Sequence, residues 1–451
     1  MQQALAARDI GQVFRLVMRE VGASQSRIGA AVGLEQGYVS RVIAGRRVTS
    51  IEVLERLAEG FAMPDAARHL LGLAANVPPW RLSSAGGIEA IPSSRSWRED
   101  VDSAVEMWRG DVNRREVLRQ AAFSSAGYTV PALRWFTAPP VEPATNGRRT
   151  VGQPDVGTIR EVTATYRRLD DEYGGGHARD AVARYLHTEV APLLQEGRFD
   201  AVTGRALLSA TAELTRLAGW QAYDIAEHGI AQRYFVLALD LARDASDDSL
   251  GAEILAAMSH QATYLADTTT GVDLARAAGR AAKRAGVPAL VAEALVLEAH
   301  AQAGAGDSRT CAAALHAAET ALDRADRRSD PQWIAYFGEA YLSAKFAHCF
   351  RALGQGKPAE RFAARSLHMD DRYVRGRAFN LSLLAATHIQ QNEPDRAAAV
   401  GLEAVAVTAG LKSARAVRYV RDLQHQLATH RGRPAVRRFL TYAESALGRR
   451  R

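Results

Sequence analysis

The side chains best suited to recognising another molecule lie between residues 22 and 50, where four arginines face a single acidic residue, Glu35. Gln36 and Arg41 fall on the exposed face of a helix predicted over 35–44. A glutamine can form two hydrogen bonds with adenine, and an arginine can reach guanine or a phosphate. The spacing predicts that this helix enters the major groove of double-stranded DNA.

Residues around this helix predict further contacts with DNA. Gln25 can donate to a phosphate from the start of the preceding helix, and Arg46 and Arg47 can do so after it. Tyr38 either touches a thymine methyl group or covers the core. The full set of predicted DNA contacts is Gln25, Arg27, Glu35, Gln36, Gly37, Tyr38, Ser40, Arg41, Arg46 and Arg47. The alternative is an ordinary five-helix bundle with a solvated charged face.

Five short helices within residues 1–75 are predicted to position these side chains, because apolar residues recur there at helical spacing. Ser24 and Ser50 are predicted to cap the second and fourth helices. Gly33 supplies the tight turn between the second and the third. The helices are expected at 10–21, 25–32, 35–44, 50–61 and 65–74.

The segment from Ser24 to Arg47 resembles the helix-turn-helix of the XRE, or lambda-repressor-like, family of DNA-binding proteins. The matching features are Gln25 opening helix two, Ala30 as the small residue near its middle, Gly33 at the turn, Val39 and Ser40 in helix three, and Gly45 to Arg47 after it. The resemblance implies sequence-specific DNA binding by helix three. Leu34 stands where the family often has a capping serine or threonine, which predicts a weaker cap for that helix.

The rest of the chain is also predicted to be helical, so the expected fold is all-α with three parts. Residues 76–155 are a linker rich in proline, glycine and serine, with a helical segment at about 97–136. From 156 to 451, helices follow one another in pairs about 40 residues apart, which predicts an α-solenoid. The alternative is an irregular all-α bundle.

Two phrases in the predicted solenoid, Leu217–Asp224 and Ala231–Phe235, resemble a helix pair of a tetratricopeptide repeat. With a glycine-rich phrase at 168–179, they are similar to actinobacterial regulators that join an XRE domain to tetratricopeptide-like repeats. The architecture also resembles the peptide-sensing regulators of the RRNPP type. The resemblance implies a transcriptional regulator of development or secondary metabolism.

Polar and aromatic side chains recur on the first helix of successive pairs, which lines the concave face of a curved solenoid. Such a lining can bond the backbone of an extended peptide or the polar edge of a small molecule. The candidate ligand-binding residues are His260, Gln261, Tyr264, His300, Tyr341, Lys345, His348, Asn380 and His388. Any one of them can instead bond a neighbouring helix, so the prediction rests on their recurrence.

Composition and missing motifs narrow the function further. The chain has 451 residues, 47% of them hydrophobic, and a net charge of +7. It contains no phosphate-binding loop, nucleophile motif or zinc motif, so we expect a protein that is not an enzyme and uses no cofactor or metal. Two cysteines indicate no disulfide framework, and no run is long and apolar enough to span a membrane.

Together these features predict a cytoplasmic regulator that binds a pseudo-palindromic operator as a homodimer. The solenoid is expected to sense a peptide, a small molecule or a protein. Either the solenoid or the helices at 97–136 are expected to hold the dimer together. The alternative is a protein-interaction adaptor whose DNA-binding domain is secondary or inactive.

Overall fold

The computed structural model describes residues 1–448 with gaps. It leaves out 2, 3, 6, 49, 62, 64–66, 69, 70, 72, 74–95, 113–122 and 139–141. Within the described residues the chain is almost entirely helical, which confirms the expected all-α fold. A small N-terminal unit of short helices is followed by stacked helix pairs.

Four helices of the N-terminal unit lie close to their predicted positions. They are α1 (Ile10–Val21), α2 (Gln25–Ala31), α3 (Gln36–Ile43) and α4 (Ile51–Gly60). Ser24 and Ser50 cap α2 and α4 as predicted, because their hydroxyl oxygens accept from the backbone N–H of Arg27 and Val53. The α3 helix begins after Glu35 with no side-chain cap, which agrees with the weaker cap expected there. Most of the predicted fifth helix, 65–74, lies outside the described residues.

Two helices of the predicted linker pack against the stacked pairs rather than standing apart from them. They are α5 (Trp97–Val112) and α6 (Thr129–Thr137), and a short 3₁₀ turn at Ser125–Tyr128 directly precedes α6. Trp108 and Tyr128 are fully buried in the main hydrophobic core of the chain. The linker segment 113–122 lies outside the described residues.

A buried group of charges fixes these two helices to the stack. The Arg243 guanidinium reaches Asp100 on α5 and lies 2.9 Å from Asp240 and 3.0 Å from Asp244. Arg134 on α6 lies 3.4 Å from the same Asp240. Buried charges are stable only when they are paired, so this group holds α5 and α6 in one arrangement.

A short sheet and three helices lead into the stack. The strand β3 (Gly197–Phe199) pairs antiparallel with β1 (Thr145–Asn146) and parallel with β2 (Arg149–Thr150). The helices are α7 (Gln153–Tyr173), α8 (Arg179–Tyr185) and α9 (Ala191–Gln195), with a π-helical turn at Leu186–Val190 between the last two.

Six helix pairs then form an α-solenoid. The pairs are α10 (Ala201–Asp224) with α11 (His228–Asp244), α12 (Asp248–Tyr264) with α13 (Thr268–Ala285), α14 (Pro288–Gly304) with α15 (Ser308–Asp323), α16 (Glu339–Ala352) with α17 (Gly356–Arg365), α18 (Val374–Gln390) with α19 (Pro394–Thr408), and α20 (Ala414–Leu427) with α21 (Pro434–Leu447). The turn inside each of the first five pairs uses one left-handed residue: Ala226, Ala266, Gly306, Gly354 and Asn392. This shared turn geometry explains the regular stacking.

The two ends of the solenoid meet. Arg375 on α18 lies 2.7 Å from Asp170 at the end of α7 and 3.7 Å from Asp224 on α10. The Ser413 hydroxyl donates to Asp224 over 3.0 Å, just before α20 begins. Because of this closure, α20 lies against the inner face of the solenoid rather than extending the stack outward.

Candidate DNA-binding surface and solenoid interior

A close backbone approach sets the angle between α2 and α3. Gly33 has φ +63, as its predicted place in the turn requires, and the Leu34 N–H donates to the Gly29 carbonyl over 2.8 Å. A Cβ on Gly29 would lie 2.4 Å from the Leu34 carbonyl oxygen. Gly29 is therefore the small residue that the turn requires. The assignment of that role to Ala30, which is exposed, was wrong.

The exposed face of α3 presents the predicted base-reading side chains to solvent. Glu35, Gln36 and Arg41 are exposed, whereas Ser40 is half-buried. The Gln36 amide donates to the Gln25 side chain over 3.3 Å, so the first turns of α2 and α3 are linked. This bond orients Gln36 before any DNA is present.

Other contacts hold the ends of α3 in place. Arg15 on α1 donates to the Ile43 carbonyl over 2.7 Å, at the C-terminal end of α3. The Arg46 guanidinium lies 4.8 Å from the centre of the Tyr38 ring, and Tyr38 is half-buried. Gly37, Arg46 and Arg47 are exposed. Nine of the ten predicted DNA contacts thus lie at least partly open to solvent around α3.

Arg27 is the exception, because it faces the solenoid. It is 7% exposed, and its Nη1 lies 3.6 Å from Oδ2 of Asp273 on α13. The backbone N–H of Ser24 donates to the same carboxylate over 3.4 Å. In this arrangement Arg27 cannot reach a phosphate. The prediction of Arg27 as a DNA contact therefore does not hold while the helix-turn-helix unit lies against α13.

The contact between Arg27 and Asp273 is a buried ion pair with loose geometry. Burial lowers the pKa of Arg27 below its usual value despite the attraction of Asp273, and burial raises the pKa of Asp273. The docked surface continues at Gly22, where a Cβ would lie 2.4 Å from Nη1 of Arg280 on α13. The helix-turn-helix unit therefore docks through one edge onto α13, and Leu133 of α6 packs into its hydrophobic core.

Six of the nine candidate ligand-binding residues meet inside the solenoid: His260, Tyr264, His300, Tyr341, Lys345 and His348. The His300 and His348 rings lie 5.1 Å apart, and the Lys345 ammonium is 5.5 Å from the centre of the Tyr341 ring. Burial lowers the pKa of Lys345 to about 7, helped by the charge of Arg415. Burial likewise lowers the pKa of His300 to about 3, with the Lys345 charge acting in the same direction.

The other three candidates have their polar groups committed to neighbours. Gln261 accepts from the Tyr128 hydroxyl and donates to the His228 carbonyl over 2.9 Å. Asn380 donates to the Ser366 carbonyl over 3.0 Å. These side chains join neighbouring segments, which is the alternative that the sequence left open.

His388 belongs to a separate group with Glu360 and Glu393. Its Nδ1 lies 3.1 Å from a carboxylate oxygen of Glu393 and 3.8 Å from one of Glu360. The ligand atoms of these three residues are close enough to hold a metal ion. Arg396 already bridges them, however, at 2.8 Å from Glu360 and 2.7 Å from Glu393. The arrangement is explained as a salt-bridge network without any metal.

Three further residues that were not among the predicted ligand contacts lie in the interior: Tyr223, Arg415 and Tyr419. The Tyr223 hydroxyl bonds Nδ1 of His260 over 3.1 Å, and the Tyr419 ring lies 6.4 Å from that of His348. The Arg415 guanidinium stacks 4.1 Å from the centre of the Tyr223 ring. Tyr223 lies on the first helix of the first pair, so it belongs to the same recurrence of polar and aromatic residues as the predicted ligand contacts. Arg415 and Tyr419 join only because α20 folds back onto the inner face.

Comparison with known proteins agrees with the N-terminal geometry. Residues 9–71 match the family model of a helix-turn-helix domain. A search of curated proteins finds no match to the chain. Among the described helices, none combines the length and apolar character needed to cross a membrane. The chain thus carries an N-terminal helix-turn-helix DNA-binding domain, as transcription regulators do, followed by a helical solenoid.

Proposed function

We propose that this protein is a sequence-specific transcriptional regulator of the XRE type, with a tetratricopeptide-like solenoid that controls its DNA binding. The observation that carries the proposal is the exposed face of α3, where Gln36 is oriented by Gln25 and Arg41 is open to solvent. Glutamine and arginine at these places can read adenine and guanine in the major groove. The protein acts in the cytoplasm as a regulator rather than an enzyme.

The regulator binds a pseudo-palindromic operator as a homodimer. A single helix-turn-helix domain buries little DNA-facing surface, so two copies supply the affinity and specificity that one lacks. The solenoid or its associated helices α5 and α6 provide the dimer contact. The operator half-sites are then separated by about one helical turn of DNA, ~10 base pairs, or a multiple of it.

The docked domain is the form with lower affinity for DNA. The Asp273 carboxylate bonds the Ser24 N–H and pairs with Arg27, two donors at the edge that also carries Gln25. A DNA phosphate that approaches this edge is repelled by the Asp273 carboxylate and blocked by α13, and it finds the Ser24 N–H and Arg27 already engaged. A peptide, small molecule or protein bound by the solenoid shifts the domain between docked and released forms.

Selection of binding sites from random DNA with the full-length protein tests this function. The expected result is a motif with two related halves, each containing adenine or guanine at positions protected by α3. A selection that yields no enriched motif, repeated at low salt, would contradict the proposal and favour the adaptor function. The same selected DNA serves as the probe for the variants described below.

A further inference from the structure

Lys345 is a buried basic residue that has no counter-charge among the residues that the structure describes. It is 5% exposed and lies on α16, the first helix of the fourth pair. It forms no ion pair or hydrogen bond with any residue that the structure describes, and its ammonium lies 5.5 Å from the centre of the Tyr341 ring. A buried ammonium without a counter-charge is strongly disfavoured, so Lys345 either loses its proton or pairs with a negative group that enters the site.

The groups around Lys345 come from several helices. Its charge lowers the pKa of His260 on α12, of His300 on α14 and of His348 on α16, in each case after burial as the main cause. The three imidazoles are therefore neutral near pH 7, and each can donate one ring N–H. Uncharged ring N–H donors therefore lie near the Lys345 side chain.

The nearest acidic side chains serve other partners. The Tyr336 hydroxyl lies 2.9 Å from a carboxyl oxygen of Glu253 and also contacts Glu293, and Arg216 pairs with Glu253 over 2.6 Å. Burial raises the pKa of Glu293, and the charge of Glu253 raises it further. Neither carboxylate lies within ion-pair distance of Lys345.

We propose that the solenoid interior binds the carboxylate of a small ligand, with Lys345 as its counter-ion and the neighbouring histidine and tyrosine side chains as hydrogen-bond donors. The other cation of the interior, Arg415, already lies 3.8 Å from the Asp224 carboxylate, so the charge left to pair is the single Lys345 ammonium, which matches a carboxylate monoanion better than a phosphate dianion. A metal cation is disfavoured, because Lys345 and Arg415 both repel it. This inference rests on the proposed sensing role and names the chemical class of what is sensed.

Binding of the carboxylate takes up a proton. The groups that face Lys345 are Tyr341, His348 and Cys349 on its own helix, with His260, His300, Glu293 and Arg415 from the helices packed against it. Burial lowers the pKa of Lys345 to about 7, so this side chain can gain or lose its proton near neutral pH. A bound anion favours the charged form, so affinity falls as the pH rises above 7.

Competitive acetylation of the full-length protein tests the site, because the chain contains only four lysines. The protein is acetylated briefly in its native state, labelled fully with isotopic reagent after denaturation, and read by mass spectrometry. Sodium benzoate is the probe, and benzamide at matched ionic strength is its uncharged control. Lys283, Lys357 and Lys412 are exposed and serve as internal controls.

Benzoate is expected to reduce acetylation of Lys345 at least threefold at pH 7, while benzamide does not and the three exposed lysines are unchanged. Tri-alanine with a free or an amidated C-terminus distinguishes a peptide carboxylate from a small organic acid. Protection by the free peptide alone identifies a peptide C-terminus as the source, and protection by benzoate alone identifies an organic acid. If neither probe protects Lys345 up to 10 mM, about the weakest range of specific binding, the inference is wrong.

Operator binding is measured on the same protein preparation before acetylation, so that the two proposals can fail separately. If no probe protects Lys345 but the protein still binds the operator, only the carboxylate site is contradicted. If the probe protects Lys345 but does not change the affinity for the operator, the carboxylate site is supported and the sensing role of the solenoid is contradicted.

Discussion

Asp273→Asn should weaken the docking of the helix-turn-helix domain on the solenoid and raise its affinity for DNA. The substitution keeps the shape of the side chain and an oxygen that can still accept from the Ser24 N–H, which now lies 3.4 Å from the carboxylate. It removes only the negative charge beside Arg27. In the docked form, Arg27 would then be a buried cation without a counter-charge.

The size of the effect follows from the geometry of the pair. Removing one partner of a buried ion pair typically costs about 3–5 kcal/mol. Nη1 of Arg27 and Oδ2 of Asp273 are 3.6 Å apart, beyond good hydrogen-bond distance, so the lower part of this range applies. Release of the domain also lets Arg27 return to water, which limits the loss. We therefore expect docking to weaken by about 2–3 kcal/mol, or roughly 30- to 150-fold.

The assay combines operator binding with small-angle X-ray scattering. If the docked form predominates in the parent, Asp273→Asn should lower the apparent Kd for the selected operator by up to this factor and increase the radius of gyration. Asp248→Asn is the matched control, because Asp248 pairs with Arg284 on the surface, where a salt bridge contributes little. A released domain that binds the operator no better than the parent would refute occlusion by docking. Weaker binding would show that docking supports DNA recognition.

Further predictions concern stability and charge. Gly29→Ala should lower the free energy of unfolding of the N-terminal unit by about 1–3 kcal/mol, since its Cβ would lie 2.4 Å from the Leu34 carbonyl oxygen. Differential scanning calorimetry measures this loss of stability, and an unchanged unfolding transition would contradict the close approach. Ala266→Gly should stabilise the solenoid by about 1 kcal/mol and Gly306→Ala should destabilise it similarly, because both residues have left-handed φ values in equivalent turns. Urea unfolding measures both effects, and effects of the same sign would contradict this explanation. Between pH 7 and pH 9, the unfolded state binds more protons at Lys345 than the folded state does, since the folded pKa is about 7 against 10.5. Stability of the parent relative to Lys345→Met should therefore rise by about 2 kcal/mol over that interval, and equal pH dependence in the two proteins would count against a buried, unpaired lysine.

The N-terminal unit was largely predictable because its signals are local. Caps at Ser24 and Ser50 and the positive φ of Gly33 depend on neighbours within a few residues, and these features appeared at the predicted places. The choice between Ala30 and Gly29 failed because both are small. Only the three-dimensional path of the turn reveals which one meets the Leu34 carbonyl.

The contacts between distant segments could not be predicted from the sequence. Arg27 reads as a basic residue of a DNA-binding helix, yet its partner Asp273 lies almost 250 positions further along the chain. Gln261 follows the same polar recurrence as His260, but Tyr128 from outside the solenoid uses it. Periodicity identifies which residues lie on a helix face, whereas the closing of the solenoid decides which of them remain open to a ligand.

The most direct test of the central claim is the affinity of a Gln36→Ala/Arg41→Ala double variant for the selected operator, measured by fluorescence anisotropy. Each side chain is expected to contribute about 1–3 kcal/mol of base discrimination, so the double variant should bind the operator at least about 30-fold more weakly. Its binding to random DNA should change far less, and Arg160→Ala, an exposed arginine on α7, should match the parent on both. Unchanged operator affinity in the double variant would contradict recognition of DNA by α3.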